Sequence, residues 1–358
     1  MILTFPHMGH LDLILKPIFT SLGVSVQVPP PVTKRTLALG VRHSPETVCL
    51  PFKIMLGNFI EALEQGADTL LTCGGTGPCR LGMYAQVQQE ILQQLGYKFN
   101  MLVAEPSLTS ILGLLRELVT GGEWKMVYRT FQFAWAKLLI IDEIERRIAI
   151  IRPRECRQGD ADVIFSSAIA ALKQATCQAD LQAIYLTIVS QLAEVAVHEK
   201  TDIIRIGLVG EIYILLEPFA NQQLEKRLGR MGVEVQKTMR LSDYVQGHIV
   251  RSRQYRELHH RLAQLAQPYL HHTIGGHGLK SIAYTVEKYQ QGVDGIIQAY
   301  PFTCMPEGIA KNILHQVSSE TGMPVLNLVY DEHAGEAGLV TRLEAFVDLL
   351  RYRKQAME

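Results

Sequence analysis

Short apolar runs rich in β-branched residues alternate with longer amphipathic stretches at both ends of this chain, and that alternation narrows the fold more than any other feature. Residues 2–5, 24–28, 69–72 and 101–104 read as strands, and residues 11–22, 51–65 and 81–95 as the helices between them. From residue 202 the pattern returns. Strands are expected at 203–209, 233–236, 295–299 and 325–329, and helices at 219–231, 279–291, 306–319 and 339–351, with Ser242 capping a long helix towards residue 265. Consecutive strands joined through a helix run parallel, so each end predicts βαβ units. Between about residues 107 and 200 strand signals are scarce, and apolar positions recur at helical spacing. The expectation is an α/β protein in three parts: lobe 1 in residues 1–106, a helical insertion in 107–200 and lobe 2 in 201–358, each lobe built on a parallel sheet. The methionine and aromatic residues of 124–135 are expected to fill core rather than to line a cofactor.

The 358 residues are 47% hydrophobic and 20% charged, enough for a sizeable core and too apolar for disorder. A formal net charge of zero argues against a general binder of nucleic acid or of an acidic membrane surface. No stretch has the length of an uninterrupted membrane span, and the first residues lack a basic segment followed by a long apolar one. The expected location is cytoplasmic. In a reducing compartment, six cysteines point to metal binding or redox chemistry rather than to structural disulfides.

Three of those cysteines share one kind of setting, a loop between a strand and a helix start, each beside a proline. Cys49 lies in Cys49-Leu50-Pro51-Phe52-Lys53, Cys79 in Cys73-Gly74-Gly75-Thr76-Gly77-Pro78-Cys79-Arg80, and Cys304 in Pro301-Phe302-Thr303-Cys304-Met305-Pro306-Glu307. A helix start carries partial positive charge, which favours thiolate over thiol. In an open parallel sheet ligands bind beyond the carboxyl ends of the strands, where these loops lie. Convergent thiolates there would suit an iron–sulfur cluster. The spacing itself is weakly specific: no Cys-x-x-Cys is present, so the ferredoxin and zinc-finger patterns are absent.

The cysteine segments, with Gly57, Gly66-Ala67-Asp68 and the terminal block Asp331-Glu332-His333-Ala334-Gly335-Glu336-Ala337-Gly338, resemble the 2-hydroxyacyl-CoA dehydratase and benzoyl-CoA reductase superfamily. They are most similar to its stand-alone CoA-protein activase, or acyl-CoA dehydratase activase-related, proteins. The resemblance covers most of the chain and is weakest in the middle. It implies two Rossmann-like lobes holding a 4Fe-4S cluster, or a larger double-cubane cluster, on Cys49, Cys79 and Cys304. Cys73 has no firm counterpart; it is either a fourth ligand or a small residue ending a buried strand. Relatives receive electrons from an ATP-driven activator of the actin-like ATPase fold. This chain has no Gly-x-x-x-x-Gly-Lys-Ser/Thr loop, so it is expected to accept electrons rather than to hydrolyse ATP.

The implied function is low-potential electron transfer or reductive chemistry. The alternatives are a 2-hydroxyacyl-CoA dehydratase subunit, a non-catalytic cluster-carrying accessory protein, and a zinc protein using Cys73 and Cys79. An acyl-CoA or another small molecule is the implied substrate, a homodimer the state implied by analogy, and an anaerobic or facultatively anaerobic source the setting for an oxygen-sensitive open cluster. Lys53 and Arg80 would stabilise the cluster's negative charge, or else face solvent or pair with carboxylates. His7 and His10 would donate to substrate or cluster sulfide, or else cap and pack. Glu211 would bind substrate or orient a ligand, and His333 would pair with Asp331 in acid–base work or cap the last helix. His277 sits in a glycine-rich turn, Glu307 at a helix start, and Cys156 and Cys177 are expected to be ordinary helical cysteines.

Overall fold

A computed structural model of the chain describes residues 1–75, 78–105, 107–118, 124–199, 202–247 and 252–356, and in helical residues 108 and 117 the backbone only. Thr76 and Gly77 of the second cysteine segment therefore lie outside the described residues, as do 106, 200 and 201 at the expected domain boundaries.

The α/β expectation is met by two four-stranded sheets. Strands β1 (Ile2–Thr4), β2 (Ser25–Val26), β3 (Thr69–Cys73) and β4 (Asn100–Ala104) lie in the order β2-β1-β3-β4, and every pairing is parallel. Strands β5 (Ile204–Gly210), β6 (Val233–Lys237), β7 (Gly295–Pro301) and β8 (Val325–Tyr330) repeat that order as β6-β5-β7-β8, again all parallel. The strand order reverses between β1 and β3 and between β5 and β7. Loops diverge at such a switch point and open a crevice at the carboxyl edge. The loops that leave these four strands carry His7, Cys79, Glu211 and Cys304, and Cys73 ends β3 itself.

Helices α1 (Asp12–Ser21), α2 (Lys34–His43), α3 (Leu50–Glu64) and α4 (Tyr84–Gln94) connect the first sheet. In α3 every residue from 50 to 62 is buried, including Lys53, Asn58 and Glu61, which are bonded there to partners from elsewhere. One core cluster runs from Leu70 of β3 through α3 to Ile206 of β5, Ile297 of β7 and Leu343 of the C-terminal helix α15 (Glu336–Gln355). The two lobes thus share a core instead of meeting across a wet cleft.

The middle of the chain is helical as expected: α5 (Leu108–Leu118), α6 (Trp124–Ile151), α7 (Asp160–Gln174) and α8 (Gln178–Ala193). Leu138 and Ile141 of α6 pack on Leu13 and Ile14 of α1. The start of α6 departs from expectation, because Trp124, Met126, Tyr128 and Phe131 are exposed rather than core. Lobe 2 adds α9 (Ile212–Leu216), α10 (Leu224–Arg230), α11 (Leu241–Val245), α12 (Arg253–Ala266), α13 (Gly278–Gln290) and α14 (Met305–Thr321). The helix expected over 219–231 shrinks to α10, since Gln222 and Gln223 take positive φ. The long helix expected from Ser242 is interrupted. Ser242 lies inside α11, and α12 begins afresh with Ser252 accepting from the Tyr255 N–H.

Charge ties the helical segment to lobe 2. Arg154 pairs with Glu234 at 2.8 Å and Lys226 with Asp162 at 3.0 Å. Among the described residues no cation pairs with Asp142 of α6, and Arg240 acts on it only at a distance. Asp142 is 3% exposed, one carboxylate oxygen has no partner, and burial lifts its pKa to about 6 against the pull of Ser242. A carboxyl whose folded pKa is raised costs stability above that value, and the cost fades as pH falls towards the unfolded pKa of about 4. Asp142→Asn should therefore raise the unfolding free energy by about 1–3 kcal/mol at about pH 8, with the gain shrinking below about pH 6. Urea unfolding at the two pH values reads this; an equal gain at both would be inconsistent with it.

Candidate functional site

Each of the three cysteines caps a helical element, but only Cys79 and Cys304 follow a strand as expected: Cys49 lies between helices α2 and α3. Cys49 is the residue before α3, Cys304 the residue before α14, and Cys79 the residue before a 3-10 turn over Arg80–Met83 that leads into α4. Pro51 and Pro306 are the second residues of their helices, where a missing N–H costs nothing. The backbone enters Cys304 under strain. Thr303, a β-branched residue, has φ 65°, and its buried hydroxyl oxygen has no partner among the described residues.

These caps converge although the residues lie far apart in the chain. Cys49 is within electrostatic reach of both Cys79 and Cys304, and Glu211 acts on all three. A glycine turn fills the space between the two lobes' loops. A Cβ on Gly275 would come within 2.7 Å of the Pro78 ring, and one on Gly276 within 3.0 Å of the Pro306 ring. Only residues without side chains allow the segments beside Cys79 and Cys304 to approach so closely, and both glycines also take positive φ. His277, the next residue, is buried, with its ring edge-on to Tyr244 at 6.4 Å.

The protonation state differs from the sequence expectation. Burial pushes the thiols of Cys49, Cys79 and Cys304 up, and the Glu211 carboxylate adds to it at each. The backbone N–H groups of Phe52, Leu81 and Glu307 at the helix starts do pull the other way, as does Arg80 at Cys79, but they are outweighed. Helix starts alone favour thiolate; desolvation between two lobes reverses the sign.

Glu211 follows β5 and caps α9, its two oxygens accepting from the N–H groups of Tyr213 and Ile214 at 3.0 Å each. Burial raises its pKa to about 6. Glu307, in the first turn of α14, is fully buried, bonded by the Ser281 hydroxyl at 3.0 Å and the Gln298 amide at 2.7 Å, and burial raises it to about 7. Its part extends beyond favouring a helix start, since its charge also acts on Cys304.

The remaining candidates separate. Lys53 is buried in an ion pair with Glu332, which joins α3 to the loop after β8. Arg80 donates to the Thr47 carbonyl. His7 shares a hydrogen bond with Glu217 at 2.8 Å, while the Gly9 N–H donates to Glu217 and the Tyr213 hydroxyl to the His7 carbonyl, both at 3.0 Å. These are contacts between lobes. His10 turns away into a separate cavity of about 240 Å³ between α6, α7 and lobe 2, with its ring edge-on to Phe165. His333 is exposed, and Asp331 accepts its backbone N–H at 2.9 Å, a turn contact rather than a side-chain pair. Cys73 ends β3 with its side chain exposed. Cys156 and Cys177 are exposed too, yet neither lies inside a helix: Cys156 is in the turn after α6, and Cys177 caps α8.

Sequence reasoning missed Tyr84, the first residue of α4. Its hydroxyl lies 2.6 Å from the Cys49 sulfur, and it is 5% exposed. No local pattern marks that contact, which depends on how α4 packs on α3.

Among the described residues, no three histidine, cysteine, aspartate or glutamate side chains stand close enough to hold a single metal ion, and no helix is long and apolar enough to cross a membrane.

Residues 8–72 match the model of a family described as a CoA enzyme activase uncharacterised domain. The match takes in the α1 to α3 segment and Cys49 and stops before Cys79 and Cys304. No curated protein matches the chain.

Proposed function

We propose that this chain is an iron–sulfur protein of a CoA dehydratase-type system, with Cys49, Cys79 and Cys304 as ligands of a 4Fe-4S cluster. The reading is supported above all by one observation: half-buried sulfurs from three separate loops, two in one lobe and one in the other, lie within electrostatic reach of Cys49. The activase-domain match over residues 8–72 agrees with it. Held by three thiolates, such a cluster keeps one iron open and supplies one-electron chemistry.

The chain's own residues suit that task. The three cysteines are half-buried, which limits water at the sulfurs, and the positive charge of Arg80 beside Cys79 offsets the negative charge of a thiolate-held cluster. The ion pair of Lys53 with Glu332 and the contact of His7 with Glu217 hold the two lobes in register around the sulfurs. An ATP-driven activator of the actin-like ATPase fold is the proposed electron donor, and a CoA thioester or another small molecule the acceptor.

Anaerobic reconstitution of the full chain with iron and sulfide tests the proposal. It predicts about four irons and about four sulfides per chain, with an EPR signal on reduction. The same content is expected in Cys156→Ser and Cys177→Ser. Zinc alone, or no bound metal, would overturn it.

A further inference from the structure

We infer that Tyr84 tunes the reduction potential of the thiol site by donating a hydrogen bond to the Cys49 sulfur; the inference rests on the cluster reading above. The Tyr84 hydroxyl is 2.6 Å from that sulfur. Its ring stands edge-on to Phe52 at 5.0 Å and 90°. Phe52 lies in the first turn of α3, the helix that Cys49 caps, so one helix end places both the sulfur and the ring that reaches it.

A buried phenol without a partner costs about 1–3 kcal/mol. Tyr84 is buried, and among the described residues Cys49 is the hydrogen-bond partner of its hydroxyl. A free thiol can donate or accept in such a contact. A metal-bound thiolate carries no proton and can only accept, so ligation fixes the direction from the hydroxyl to sulfur. Hydrogen bonds to cluster sulfurs withdraw electron density and raise the reduction potential. Cys79 and Cys304 have backbone N–H groups opposite them, whereas Cys49 has both the Phe52 N–H and a side-chain hydroxyl. Tyr84 is thus a positioning residue that acts through Cys49, and a single substitution can remove it without touching a ligand.

The test is an EPR-monitored redox titration of reconstituted wild type and Tyr84→Phe, with iron and sulfide counted in each sample. Phenylalanine keeps the ring against Phe52 and deletes only the hydroxyl. The expected result is unchanged iron and sulfide with a midpoint shifted to more negative potential. Tyr269→Phe serves as the control, because that hydroxyl is bonded to Glu320 at 2.9 Å, outside the cysteine loops; its midpoint should match wild type. An unchanged or more positive midpoint in Tyr84→Phe at full iron content overturns the inference alone. Loss of iron in Tyr84→Phe assigns the residue a structural role and overturns it too. Absence of iron from wild type overturns the cluster reading itself and takes this inference with it.

Discussion

Gly57→Ala should destabilise the protein by roughly 3–5 kcal/mol or more, the larger part of a typical stability of about 5–15 kcal/mol. A Cβ on Gly57 would stand 1.9 Å from the Thr36 carbonyl oxygen and 3.2 Å from the Gly40 nitrogen. Across the same contact, a Cβ on Gly40 would stand 1.7 Å from the Lys53 carbonyl oxygen. Helices α2 and α3 therefore cross backbone on backbone, and no flexible side chain is there to give way. Ordinary overpacking costs about 1–3 kcal/mol because side chains and backbone adjust a little. Here a whole helix must move. That helix is α3, buried on all sides and continuous with the core of lobe 2. Separation would also break the buried bond from the Thr36 hydroxyl to Glu61 at 2.7 Å. Chemical denaturation followed by circular dichroism measures the loss. Gly113→Ala is the control, since its Cβ would meet nothing within 4 Å and alanine favours the helix. A Gly57→Ala protein as stable as wild type would mean that the two helices cross farther apart than described.

Lys237→Met is the second large effect, expected at about 3–5 kcal/mol. The Lys237 ammonium, at the end of β6, lies 3.0 Å from Glu145 of α6 and 2.9 Å from Glu225 of α10, with its side chain 5% exposed. Removing it leaves two carboxylates facing each other in a buried place, which costs more than the pair ever gained. Burial alone would lower the lysine pKa, but the two carboxylates raise it above the ordinary value. Its contribution is therefore complete below the unfolded value of about 10.4 and is lost only as pH rises through the higher folded one. The penalty in Lys237→Met should be largest near neutral pH and shrink near about pH 4, where the glutamates take up protons. Glu145 belongs to the helical segment, so the variant should also loosen α6 against lobe 2. Limited proteolysis would register that loosening, and a penalty independent of pH would speak against the ion-pair account.

The fold class was legible because strand and helix periods differ and the chain uses each cleanly at both ends. Strand order was not, since the pairing of β1 with β3 is a fact of assembly. Helix α2 was hidden behind the prolines at 29–31, although Thr33 and Thr36 form a reciprocal cap, with the Thr33 N–H donating to Thr36 at 3.0 Å and the Thr36 N–H to Thr33 at 3.3 Å. The helix-cap setting of Cys49, Cys79 and Cys304 was readable from proline placement. Their protonation was not, because the desolvation that governs it arises only when the lobes close. The same reason hides Tyr84 and the partners of Lys53 and His7: Glu332 and Glu217 lie 279 and 210 residues away along the chain.

The central claim is a cluster site shared between two lobes, and iron content in Cys304→Ser tests it most directly. Cys304 is the trio's sulfur from lobe 2, so a site that spans the lobes must fail without it. The account predicts that anaerobically reconstituted Cys304→Ser folds like wild type and retains little or no iron and sulfide. Full iron and sulfide in that variant would contradict it.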